Sequence, residues 1–188
     1  MPAPDRNETT RVYVPATVSM LRRLVADREL FPLGGTAFAL TPTLREAYAS
    51  GDDEELAEVA MAEAARASLR LLAGEREDAE TDPADDEPSS SGRPVYRRAV
   101  IAADVSGVKP RPDLDDAVVK LSGPITYDRI ASVHVDLAEA EPAVAKAVDV
   151  VDAADLGDPD AEFVLGDAED HQLAWYAAQE LPFLLDLL

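Results

Sequence analysis

Between Gly74 and Arg93 the chain carries eight acids against two arginines, two prolines, the run Ser89-Ser90-Ser91-Gly92, and no aliphatic residue larger than alanine. Such a stretch buries too little apolar surface to offset the entropy of ordering it, and is expected to be a disordered acidic insertion at about 74–93. It divides the apolar sequence into two pieces. The first, 11–73, is too small to bury both faces of its own elements, so residues 11–73 and 94–188 are expected to share one core. Residues 1–10 read as a flexible N-terminal tail. The expected organisation is a single α+β domain over 11–188 with the insertion inside it.

Charge and composition exclude several functions. Thirty-eight acids against seventeen bases give a net charge of −21, which repels nucleic-acid backbones and anionic membrane surfaces. Cysteine is absent, so disulfides, thiolate metal sites and a cysteine nucleophile are all excluded. No apolar run approaches the roughly 18 residues of a membrane span, and the polar start Met1–Arg11 is no signal peptide. A soluble protein of a reducing, cytoplasmic compartment is expected.

Arg11–Pro15 reads as a strand, followed by a helix carrying Val18, Leu21, Leu24, Val25 and Leu30 with Thr17 or Ser19 as cap. Leu33-Gly34-Gly35 is a turn, and Thr36–Leu40 a second strand, which this spacing predicts to lie parallel to the first through a right-handed crossover. Thr41-Pro42 opens a short helix. Asp52 and Glu55 then start a long one with the stripe Leu56, Val59 or Ala60, Ala64, Ala67 and Leu71, stopped at Gly74. Val95–Val105 is a strand whose run Ala99–Ala103 is apolar enough to be buried on both faces, and Ala117–Leu121 and Ile130–Leu137 are two more. Pro142 opens a helix with the stripe Val144, Ala147, Val148 and Val151, and Asp158-Pro159 a short helical turn. Asp167 is expected to cap a last helix reaching Leu184, kinked at Pro182. The order β-α-β-α-β-β-β-α-α gives a mixed sheet of about five strands with helices packed on it.

Four blocks of sequence then stand out together. They are Arg11–Thr17, Thr41-Pro42 with Leu44-Arg45-Glu46, Arg111–Asp115, and His134-Val135-Asp136. With the tail Asp167–Tyr176, this set resembles a family of small, uncharacterised actinobacterial proteins, a domain of unknown function. The resemblance covers nearly everything outside residues 1–10 and the acidic insertion. It implies no activity.

Candidate chemistry gathers at few places. Asp167 and His171, four apart on the expected last helix with Trp175 one turn on, place a carboxylate where it would orient an imidazole. His134 and Asp136 alternate onto one face of a strand, as metal-binding strands require, although a solvated sheet face gives the same pattern. His134 and His171 are the only two histidines, so any two-histidine site needs the fold to bring them together. In the loop Lys109–Asp116, Arg111 beside Asp113 is a candidate anion clamp. A calcium-loop pattern of Asp158, Asp160, Glu162 and Glu169 fails because Phe163 stands where the sharp turn needs glycine.

No phosphate loop, nucleophile elbow or zinc-protease motif occurs. No cofactor and no bound metal are therefore expected. The first expectation for function is a non-enzymatic domain acting through contacts with a protein partner, with Arg111, Asp113 and Trp175 as binding candidates. The alternative is a metal-assisted hydrolase built on His134, Asp136, Asp170 and His171. A weaker alternative is an acidic mimic of nucleic acid.

Overall fold

The computed structural model describes residues 8–81 and 94–188. Strand β1 (Thr10–Ala16) buries Val12, Val14 and Ala16 on one face and turns Arg11 and Tyr13 to the other, as alternation requires. Thr17 caps helix α1 (Val18–Asp27), its hydroxyl accepting from the Met20 amide. Arg28 ends that helix with a left-handed φ of 63°, and the two-residue strand β2 (Glu29–Leu30) follows. Gly34 and Gly35, both left-handed, turn the chain into β3 (Thr36–Phe38). After the acidic stretch come β4 (Ala99–Val105), β5 (Lys109–Pro110), β6 (Val118–Lys120), β7 (Ile125–Thr126), β8 (Ile130–Val135) and β9 (Ala174–Tyr176).

Seven of these form one sheet in the order β5-β6-β3-β1-β4-β8-β9, while β2 and β7 pair separately. Every pairing is antiparallel. The α+β class read from the sequence is the one observed, but the mixed sheet with a parallel β1–β3 crossover is not. That crossover rule presumes a helix that delivers the chain straight to the next strand. Here β2 and the glycine turn intervene, and β3 enters in the opposite sense.

Both faces of the sheet are covered. Helix α1 and the short α6 (Leu181–Asp186) pack on the face bearing Val12, Val14, Ile101 and Val133. The other face, bearing Tyr13, Phe38, Val100 and Val118, is crossed by the long helix α3 (Asp53–Thr81), with α2 (Pro42–Ala47) at its start. Leu56, Ala60, Ala64 and Ala65 of α3 are buried there, and the small size of the three alanines lets the helix lie close to the strands. Buried Ser68 fixes this approach, donating to the Ala16 carbonyl (2.7 Å) and accepting from the Ala99 amide (3.1 Å). Beyond α3, helices α4 (Glu141–Asp155) and α5 (Pro159–Glu169) form a further apolar cluster with Leu69 and Leu72. Each cluster holding sheet residues draws on chain from both sides of the acidic stretch.

Several boundaries differ from the sequence reading: α1 ends at Asp27 and Leu30 pairs in β2 instead, and the strand expected from Val95 starts at Ala99. Gly74 does not stop α3, which runs on to Thr81. Gly74 keeps a helical φ, and the turns beyond it are tied down by Thr17–Glu75 and Arg76–Asp149 bonds. The first residues of the expected insertion are thus helical, and 82–93 lie outside the described residues, as do 1–7 of the expected tail. The expected last helix from Asp167 does not form. Asp158 caps α5 instead, so Asp167 falls near the end of that helix, and Ala174–Tyr176 is taken up by the sheet. Pro182 sits in the first turn of α6, where its missing amide costs nothing.

The most deeply buried charges tie this architecture together. Arg98, 3% exposed, and Asp136, fully buried, form a bidentate pair in which Nε and Nη2 each donate at 2.8 Å. The Arg98 amide donates to the same carboxylate, and the Asp136 amide returns a bond to the Arg98 carbonyl. Arg98→Ala or Asp136→Ala should each lower the unfolding free energy by about 3–5 kcal/mol, because each leaves a buried charge unpaired. The double replacement Arg98→Met with Asp136→Leu should cost far less than the two single losses together. Urea denaturation of the three variants checks this.

Candidate functional site

A cleft of about 390 Å³ opens where α3 passes over the β8–β9 side of the sheet. Its apolar wall comes from successive turns of α3, with Met61, Ala62, Ala65 and Leu69 facing it, and from Leu173 opposite. Its polar lining is Glu58 and Arg66 from the helix, Arg98 and His134 from the sheet, and Glu169, His171 and Gln172 from the segment leading out of α5. The two histidines, 37 positions apart in sequence, therefore line one cavity. His171 is placed by its backbone: its carbonyl accepts from Arg98 Nη2 at 2.8 Å, and its amide bonds the Ala168 carbonyl.

His134 is half-buried, and its Nε2 lies 2.9 Å from the Ser132 hydroxyl on the same face of β8. Burial holds its imidazole below the usual histidine range, and the Arg11 charge pushes the same way. The ring is thus neutral at pH 7, a state able to accept a proton or bind a cation. Ser132 itself is buried and does not line the cleft. The cations of the cleft are already matched: Arg98 by Asp136, and Arg66 by Glu162 (2.7 Å) and Asp155 (3.3 Å).

The remaining candidates lie apart from this cavity. Asp136 spends both carboxylate oxygens on Arg98, so it does not face solvent as strand alternation suggested. Asp170 is exposed at the end of α5 and is not part of the lining. Arg111 and Asp113 pair with each other at 2.7–2.8 Å in the exposed loop after β5, at the opposite edge of the sheet from β9. Trp175 is adjacent. It stands directly across from His134 in the β8–β9 ladder, on the same face, and is 61% exposed. Among the described residues no group of three histidine, aspartate or glutamate side chains is placed to hold a metal ion, and no helix is long and apolar enough to cross a membrane. A smaller hollow of about 220 Å³ lies at the other end of the strands, near Ser122, Gly123 and Arg129.

A family model of unknown function matches residues 10–185. The chain belongs to that family, DUF6912. No curated protein and no solved structure matches it. For this DUF6912 chain the site must accordingly be read from its own geometry. Sequence reasoning missed Glu58 and the α3 wall, which reach the cleft only through the packing of α3, and weighed Glu169 only within a calcium-loop pattern that fails. Arg98 did carry a signal, since a cation leading directly into the apolar run Ala99–Ala103 must find a partner if it is buried with it.

In a His171→Gln variant of this DUF6912 protein the imidazole resonance of His134 stands alone in the NMR spectrum. Its titration midpoint should lie below the usual value of about 6.5. Arg11→Ala should raise it partway. Because the unfolded chain binds this proton more readily, stability should increase with pH through the interval between the folded and unfolded midpoints. A midpoint at or above 6.5 contradicts the burial argument.

Proposed function

We propose that this DUF6912 protein is a non-catalytic cytoplasmic domain that works by docking a partner protein, and that Trp175 on β9 is the centre of the docking surface. One observation carries the reading: an edge strand presents a largely exposed indole beside an open, part-apolar cleft. Large aromatic side chains supply much of the energy of protein interfaces, and an open edge strand is a ready template for pairing with another chain. The absence of cysteine suits a reducing compartment. The charge of −21 speaks against nucleic acid as the partner.

The metal-assisted hydrolase has one observation in its favour, the shared cleft of His134 and His171. Its proposed carboxylates do not help it, with Asp136 held by Arg98 and Asp170 outside the lining. Elemental analysis after incubation with zinc addresses it: a stoichiometric ion lost in both His134→Gln and His171→Gln would favour that reading over docking.

Docking is tested with the tagged protein as bait in extract of its own cells. Trp175→Arg should lose the captured protein, lowering recovery at least about tenfold, the scale of a central interface residue. Leu156→Arg should not, although Leu156 is 91% exposed, because it sits at the turn after α4. Equal recovery with both variants, or no captured protein with either, overturns the proposal.

A further inference from the structure

The outer side of β9 has no hydrogen-bonded neighbour among the described residues, since β9 ends the strand order. Its backbone is therefore open to pairing with one more strand. Side chains of an added strand alternate, and those level with Trp175 point to the face that holds the cleft. Adjacent strands lie about 4.8 Å apart, so a long side chain at that level passes over the indole and reaches the cavity beside His134.

The charges there select what that side chain must be. Glu58 and Glu169 line the cleft, are exposed, and carry no ion pair or hydrogen bond among the described residues. Arg66 and Arg98 are neutralised by their own carboxylates, and His134 is uncharged at neutral pH. The cavity therefore presents two unmatched negative charges above an apolar wall. An aliphatic stem ending in a cation fits this, and the indole face of Trp175 on the way in attracts the same group. A second copy of this chain does not fit, because it brings a further charge of −21 and the same glutamates to the contact.

We infer that β9 accepts an extended, basic segment of a partner protein as an added strand, with a lysine or arginine side chain crossing Trp175 into the cleft beside Glu58 and Glu169. This rests on the docking reading and gives the partner its chemistry. Binding is set by backbone pairing along the edge and by one buried cation, so it is selective for sign of charge and sensitive to salt.

Trp175 is the only tryptophan, so its emission reports on this strand alone. The probes are a synthetic peptide of about eight residues, a common strand length, alternating lysine and valine, its glutamate counterpart, and the lysine peptide N-methylated at alternate amides. The lysine peptide should bind saturably, shift the Trp175 emission to the blue and weaken with added salt. The glutamate and N-methylated peptides should do neither. Glu58→Gln with Glu169→Gln should weaken the lysine peptide about tenfold. Asp27→Asn with Glu29→Gln removes the same charge on the α1 side and should change affinity less than about twofold. Equal weakening by both pairs would show diffuse attraction to an acidic chain and overturn the inference. So would comparable binding of the glutamate peptide, an unmoved emission, or a concentration-dependent dimer abolished by Trp175→Arg. If capture from extract still requires Trp175 while any of these holds, the basic partner falls and the docking reading stands.

Discussion

The Arg98–Asp136 pair is the constraint on which the arrangement of this protein turns. It joins the approach to β4 to the residue just past β8, and the same guanidinium reaches across to the His171 carbonyl. A charge pair this deep is worth little as attraction, because desolvation offsets most of the Coulomb gain. Its value lies in specifying position. Three segments distant in sequence are held in one register, and the segment that leaves α5 is fixed as it enters β9. The position of His171 in the cleft, and of Trp175 on the edge, both follow from that junction.

The second constraint is the closeness of α3 to the sheet. Alanines at 60, 64 and 65 leave no bulk between helix and strands, and Ser68 uses its one hydroxyl to satisfy groups of both β1 and β4. Past Ser68 the helix turns larger residues, Leu69 and Leu72, toward α4 and α5. The helix is thus wedged between a sheet and a helical pair. The cleft is the gap left where it passes over β8 and β9 and neither neighbour fills the space.

Much of the fold was legible because the signal was local. The alternation in β1, the apolar run of β4, the stripe of α4 and the reciprocal Asp52–Glu55 cap each state a backbone preference within a few residues, and each is realised. Local signals mislead where tertiary contacts decide. Residues 167–176 have a composition that tolerates a helix, yet pairing with β8 wins for Ala174-Trp175-Tyr176. Gly74 carries a stop signal that is overruled by the bonds of Glu75 and Arg76. The family resemblance was legible from scattered landmarks. The cleft was not, because His134 and His171 meet only through a junction built on Arg98, and no spacing rule encodes that.

The centre of the sheet is its first strand, and that has a temporal consequence. β1 is flanked by β3 and β4, and its longest pairing, from Thr10–Val105 to Ala16–Ala99, joins positions on either side of the acidic stretch; Arg11 and Asp104 within it are 93 residues apart. A nascent chain holds this strand without its main neighbour until β4 has been made, and contacts of such long range make for slow closure.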